Sequence, residues 1–382
     1  MIYLDNSATT KPHKEVLNTF VQVNESFYAN PASIHGAGVE ANALLDRARG
    51  QIADLLKTED QFVLFTAGGT ESNNLAIFGV PKANTHKGKH IITTEIEHPS
   101  ILEAVKSLEQ EGYKVDFLKV DVNGVISLQE LQAKIRKETV LVSIMHVNNE
   151  MGAIQPIEEA AKIIHENSRA AFHVDAVQSF GKLPIYFNGE AGPDIISISG
   201  HKIHGLKGSG IIAFRKKMNI IPLLLGGGQE QGLRSGTVAV PQAVSLAKAA
   251  RMAVETMEQA TLKYRKWHND LLEFLAGFGE NIHLLSTNTG AAHILSFSVM
   301  DLKGEILINA LQKRGIIVST SSACSSKQKK TSHVVEALEL HSNYKKGVIR
   351  LSFGALNTEE DILEFKKAFT DVMKELKGDI NR

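Results

Sequence analysis

The chain has 382 residues, with 42 lysines and arginines against 42 aspartates and glutamates, and 43% of it is hydrophobic. These figures describe folded material for two or three domains, not a disordered chain, and zero net charge argues against a phosphate-backbone binder, which needs a basic stripe. A single cysteine, Cys324, excludes an internal disulfide framework and a cysteine-rich zinc site, and the longest apolar run, Ile220 to Leu225, is broken by Pro222 and far too short for a bilayer.

With Asp5 near the start and no basic, then apolar leader before it, the expected location is the cytoplasm. The first long element is a helix over Gly38–Leu56, with Val39, Ala43, Leu44, Ala48, Ile52 and Leu55 or Leu56 expected to form its core-facing stripe. Strand-like runs follow at Phe62–Phe65, His90–Thr94, Val115–Val120, Val140–Val147, Ala171–Val174, Asp194–Ser199 and Gly210–Phe214. Helical segments such as Pro99–Glu111 and Pro156–Asn167, each opening on a proline, lie between them. Runs as apolar as Val140–Val147 read as strands covered on both faces. Alternation of this kind predicts an α/β domain, a mostly parallel sheet flanked by helices. A long helix, roughly Pro241–Phe274, leaves that block, and the pattern restarts over His293–Val299, Glu305–Lys313, Ile316–Ser319, Ser332–Leu338, Val348–Ser352 and Glu359–Leu376. A smaller α+β domain is expected there. The predicted division is a large domain over 12–255 and a small one built from 1–11 and 256–382, carrying Cys324 and Arg350.

Ligands of open α/β sheets bind beyond the carboxyl ends of the strands. The loops expected at those ends carry Thr66 to Thr70, Glu97 and His98, Asn148 to Glu150, Asp175 with Gln178, and Ser199 to Lys202. Any one of them alone reads more readily as a turn or a cap; five on one edge read as a site. Gly68, Gly69 and Thr70 open a helix and form a cradle for an anion, although neither a dinucleotide nor a P-loop fingerprint is present. Asp175 and Lys202 follow successive strands. An amine near a phosphate-bearing cofactor forms a Schiff base, and an aspartate holds a pyridinium nitrogen protonated; the alternative is a structural ion pair. His201 and His204 lack a zinc-binding context, so no metal is expected. Cys324 sits in a serine-rich run beside Lys327, Lys329 and Lys330, a setting that favours thiolate over an incidental thiol. Arg350, in an apolar strand, calls for an anion, either a bound carboxylate or a buried partner.

The segments YLDNSATT, NPASIHGAG, GGTESNNLAI, EHPSIL, VSIMHVNNEMG, HVDAVQSFGKLPI, ISGHKIHGLKGSG, GGGQEQGLRSGT, SSAC and IRLSFG, spread in order from Ile2 to about Asn357, resemble the cysteine desulfurases of the NifS/IscS type. These are class V aminotransferases of the pyridoxal-phosphate-dependent fold type I. The resemblance implies a homodimer that converts L-cysteine to L-alanine and a persulfide on Cys324, and passes the sulfur to an iron–sulfur scaffold or a thiolation enzyme for tRNA or cofactors. A selenocysteine lyase or another lyase or aminotransferase of the same fold is the alternative. The implied cofactor is pyridoxal 5'-phosphate, with Lys202 as its Schiff-base lysine, Asp175 on the ring nitrogen and Gln178 on the ring oxygen. His98 would stack on the ring and move protons, and Gly69, Thr70, Ser199 and His201 would hold the phosphate, joined by Thr237 from the other subunit. Asn149 and Arg350 would take the substrate carboxylate. Two positions depart from the pattern: Ser321 stands where relatives carry glycine, and the lysines after Cys324 make that segment more basic, as an acidic acceptor protein would require.

Overall fold

The computed structural model describes residues 1–59, 62–187, 191–320 and 331–380. The chain opens with a short strand, β1 (Ile2–Tyr3), and two helices, α1 (Lys14–Ser26) and α2 (Gly36–Leu56). It then winds a sheet of β2 (Val63–Thr66), β3 (His90–Thr94), β4 (Lys114–Leu118), β5 (Thr139–Met145), β6 (Ala171–Asp175), β7 (Ile195–Ser199) and β8 (Gly210–Phe214). Their spatial order is β2-β8-β7-β6-β5-β3-β4. Only β8 runs against the other six, being antiparallel to both β2 and β7. The sheet is therefore mostly parallel, as the sequence predicts. The carboxyl ends of β2, β3, β5, β6 and β7 share one edge.

Helices cover both faces. α3 (Gly69–Asn74) runs through a π turn into α4 (Val80–Ala83), and α5 (Pro99–Gln110), α6 (Leu128–Lys134) and α7 (Ile157–Asn167) follow. One core, with Phe172, Ile196 and Ile198, packs α1, α2 and α7 on one face; the other, with Leu64, Ile91 and Ile212, packs the π turn, α4 and α5. Residues of β5 are buried throughout, and each fully buried large aliphatic side chain stabilises the fold by roughly 1.5–3 kcal/mol.

α2 differs from its prediction. Its buried line is Ala41, Leu45, Ala48, Ile52 and Leu56, while Val39 and Ala43 are exposed. Steps of three or four residues from Ala41 trace one true helical face; the expected stripe mixed two faces about 200° apart, given 100° per residue.

A long helix, α8 (Val240–Ala276), leads to the second sheet, which contains β9 (Ile282–Leu284) and β10 (Ile294–Val299). α9 (Gly304–Gln312), β11 (Ile316–Ile317), β12 (Ser319–Thr320), α10 (His333–Ala337), β13 (Val348–Ser352) and α11 (Glu359–Ile380) complete it. The order β12-β13-β10-β9 is antiparallel, and β11 pairs with β1 instead. Trp267, Phe297, Phe353, Phe365 and Phe369 form this region's core together with Leu4, so the first residues of the chain are fastened to its last third.

Candidate active site

β6 delivers Asp175 to the shared edge, 5% exposed. Its Oδ1 accepts from the Val177 backbone N–H at 2.9 Å, and its Oδ2 accepts from Asn73 Nδ2 at 2.8 Å. That same Asn73 amide also donates to Ser100 Oγ at 2.9 Å, which in turn lies 2.8 Å from His98 Nδ1. Since His98 Nδ1 also accepts from the Ser100 backbone N–H at 3.2 Å, capping α5, the proton belongs on Nε2. Asn73 thus connects the carboxylate to the imidazole through one hydroxyl. Burial lowers the His98 pKa, with Asp175 opposing and Lys202 and His333 adding to the effect, so the ring is neutral near pH 7 and able to accept a proton.

Lys202 follows β7 in a 3-10 turn, Gly200–Lys202. Its ammonium donates to the backbone carbonyls of Ser7 and Ala8, the latter at 2.8 Å. Gln178 donates to the same Ser7 carbonyl at 3.0 Å. The chain's first residues are laid across the site and held there: the Thr10 N–H donates to the His201 carbonyl at 2.8 Å, and Thr9 Oγ1 meets His201 Nδ1 at 3.1 Å. Burial and nearby lysines push the His201 pKa down to about 4, leaving a neutral ring that offers an N–H without charge.

The second sheet contributes Arg350, on β13 and 2% exposed. One guanidinium nitrogen is 2.7 Å from Asp5 Oδ1, and another donates to the Asn149 carbonyl at 2.8 Å. The buried-partner alternative for Arg350 is therefore partly realised, yet its Nε is buried with no partner among the described residues. His333, at the start of α10, donates from Nε2 to the Glu97 carbonyl at 2.9 Å, and its neighbour Ser332 donates to Glu150 Oε2 at 2.6 Å.

One cavity of about 680 Å³ is lined by Gly69, Thr70, His98, Asn149, Asp175, Gln178, Ser199, His201, Lys202 and Arg350, with Ser7, Asn73 and His333. Ten expected residues converge there from five loops and two sheets. Thr237 does not: it is exposed, on a segment tied to α3 by Arg234 and Glu71 at 2.7 Å. Cys324 and the basic run after it lie outside the described residues. Sequence reading missed Asn73, Ser7 and His333 as site residues; His333 was visible only as part of a helix.

The cavity fits pyridoxal phosphate on three observations. Its volume suits a small cofactor with substrate. Ser7 Oγ, Asn73 Oδ1 and Arg350 Nε, all on lining residues, are buried without partners among the described residues, which costs free energy unless a ligand satisfies them. A Cβ on Gly69 would come within 2.8 Å of Val177 Cγ2, so only glycine leaves the cradle's backbone this close to the Asp175 loop.

The family model of class-V aminotransferases matches residues 2–365. A protein named cysteine desulfurase IscS from Methanosarcina thermophila is 39% identical over 378 residues, covering 99% of this chain and 93% of its own. A solved structure titled NifS-like protein superposes with a TM-score of 0.92 at 37% identity, covering 98% and 99% of the two chains. Another, titled SspA in complex with cysteine, gives 0.80 at 31% identity over 92% and 99%.

Proposed function

This chain belongs to the class-V aminotransferases, and from that premise we propose that it is a cysteine desulfurase dependent on pyridoxal 5'-phosphate. The observation that supports this most is the convergence of an amine, a carboxylate, an imidazole and an orphaned guanidinium N–H on one cavity. Relatives named as desulfurases supply the substrate class.

The cofactor, when bound, supplies an aldehyde that captures amines and a ring that takes up the electron pair of a breaking Cα–H bond. Lys202 would hold the aldehyde and later carry the α-proton. Asp175, fixed by Asn73 and the Val177 N–H, would keep the ring nitrogen protonated, and Gln178 would pair with the ring oxygen. Gly69, Thr70, Ser199 and His201 would hold the phosphate. Arg350, its side chain already aimed by Asp5 and the Asn149 carbonyl, would orient the substrate carboxylate. His98, neutral and relayed to Asp175, would move a proton. Cys324 thiolate would attack the substrate sulfur. An S–S bond forms as the Cβ–S bond breaks, and the carbon skeleton leaves as L-alanine after protonation.

The homodimer belongs to the same proposal. Thr237 is exposed in the single chain, as a residue reaching a neighbour's phosphate must be. Leu224, Leu225, Tyr28 and Ile34 are 45%, 83%, 84% and 99% exposed, apolar side chains that a second subunit would cover. Light scattering should report twice the chain mass; a stable single-chain mass would remove Thr237 from the site. The domain division at residues 12–255 is supported by two separate cores, one reaching Ala250 along α8 and the other starting at Tyr264. The sulfur acceptor, an iron–sulfur scaffold or thiolation enzyme, follows from the persulfide product. No helix among the described residues is long and apolar enough to cross a membrane; a cytoplasmic location is part of the proposal.

Incubating the purified protein with L-cysteine, without reductant, should release alanine and add one sulfur atom to the peptide containing Cys324. Cys324→Ser should abolish the added mass. Alanine release with no sulfur on Cys324 would contradict the transfer, and no alanine from cofactor-loaded enzyme would contradict the substrate.

A further inference from the structure

His204 follows Lys202 by two residues and takes no part in the chemistry described above. It is buried and does not line the cavity. Its backbone φ is +58°, a left-handed conformation that a residue with a side chain seldom adopts. Strain of this kind persists only where the surroundings impose it, and it gathers at functional sites.

What imposes it is a set of contacts that uses every polar group of the residue. The backbone N–H donates to Thr10 Oγ1 at 2.8 Å, and the backbone carbonyl accepts from the His13 N–H at 3.0 Å. Ring Nδ1 lies 2.8 Å from the Lys11 carbonyl, and ring Nε2 lies 3.0 Å from the Ala355 backbone nitrogen. A carbonyl only accepts and a backbone N–H only donates, so the ring is neutral, with its proton on Nδ1 and an acceptor at Nε2. Burial outweighs the Lys11 carbonyl and pushes its pKa down to about 4, so this arrangement holds at pH 7. The His13 ring packs against it with centroids 4.6 Å apart. Gly354 lets the second sheet come this close, since a Cβ there would crowd Asn6 Oδ1 and lie 3.1 Å from His204 Nε2.

One residue thus joins three parts of the site. It continues the turn after β7 that carries Lys202. Through Thr10, Lys11 and His13 it holds the segment whose Ser7 and Ala8 carbonyls receive the Lys202 ammonium. Through Ala355 it holds the chain leaving β13, the strand that carries Arg350. Resting on the function proposed above, we propose that His204 is a positioning residue: its ring aligns the Lys202 amine of the first sheet with the Arg350 guanidinium of the second, and so sets the fit of the substrate carboxylate between them.

Two substitutions in the full-length holoenzyme separate the ring's contacts. His204→Asn tolerates a left-handed backbone and still offers an N–H to Lys11, but it is too short to reach Ala355. His204→Gln is longer and places an acceptor near the Nε2 position. The Asn variant should raise KM for L-cysteine about tenfold, the size of one net hydrogen bond. Its kcat should stay within about twofold of the parent, because carboxylate binding serves ground and transition states alike. The Gln variant should recover most of the parent KM. An Asn variant with the parent KM, or a Gln variant as impaired as Asn, overturns the proposal. If the Asn variant folds poorly, His204→Gly accepts the same backbone conformation without either ring contact and should show the same rise in KM. Hydrogen exchange in the full-length protein without cofactor gives a readout that needs no activity. The Ala355 amide should exchange about tenfold faster in the Asn variant and near the parent rate in the Gln variant; equal rates in all three overturn the proposal. A parent holoenzyme that releases no alanine from L-cysteine would sink the desulfurase reading alone, and the exchange rates would still decide whether His204 joins the two sheets.

Discussion

Lys202→Ala is expected to lower alanine release from L-cysteine by about 10⁴-fold, the upper range for removing a positioned proton-transfer group, while the protein still folds. The separation of activity from stability follows from what the ammonium touches. Its partners include two backbone carbonyls, Ser7 and Ala8, in a segment also held by Thr9, Thr10 and the pairing of β1 with β11. Losing the donor leaves the Ala8 carbonyl short of a partner, while the Ser7 carbonyl keeps the Gln178 amide, at a cost of about 1–3 kcal/mol, less than the roughly 5–15 kcal/mol net stability of a folded domain. Lys202→Arg separates the two effects further. Arginine still donates to both carbonyls, so melting should recover toward the parent value, but it does not deprotonate and activity should stay as low as in the alanine variant. Steady-state alanine release and thermal melting of both variants check this. An arginine variant within tenfold of the parent enzyme would show that a free amine at this position is not required.

Strand ends were legible because apolar runs such as Val140–Val147 stop at polar residues, and the topology turns those stops into one edge. Asp175, Lys202, His98 and Asn149 could be placed this way without knowing which strands were neighbours. What was not legible is the wiring between loops. Asn73 joins Asp175 across 102 residues of sequence and Ser100 across 27; no local spacing marks such a residue, and within α3 it reads as one more polar helix position. Ser7 and Ala8 act on Lys202 through backbone carbonyls, which every residue possesses. His333 meets Glu97 from 236 residues away. α2 shows the same limit in packing: its apolar residues permit two faces, and contact with α8 and β2 decides which one is buried.

Glu97 supplies a large effect on stability, and its sign can be derived from the structure. The residue lies directly before His98 and is fully buried. Its Oε1 accepts from Thr94 Oγ1 and from the Met145 backbone N–H, both at 2.8 Å, while Oε2 has no partner among the described residues. Burial, reinforced by the charge of Asp175, pushes its pKa from 4.5 up to about 8, so the folded protein holds this carboxyl neutral at pH 7. The folded state binds the proton more tightly than the unfolded chain does. The stabilisation is complete below pH 4.5 and is lost as pH rises through about 8. At about 1.4 kcal/mol per pH unit the loss amounts to about 5 kcal/mol. Glu97→Gln keeps a carbonyl for Thr94 and Met145 and cannot ionise. Relative to the parent protein it should melt at the same temperature or slightly lower at pH 5, where its amide N–H₂ occupies the unpartnered Oε2 position. At pH 9 it should melt several degrees higher. Taking the difference between the two proteins at each pH cancels every other titrating group, so melting curves at matched scan rate suffice; a difference that stays flat from pH 5 to pH 9 would mean that Glu97 is not the buried neutral acid described. The consequence reaches the cavity. The Glu97 carboxyl ties β3 to β5 through Thr94 and Met145, and the charge of Asp175 opposes its ionisation, so an ionised Glu97 would act back on the carboxylate that lines the cavity.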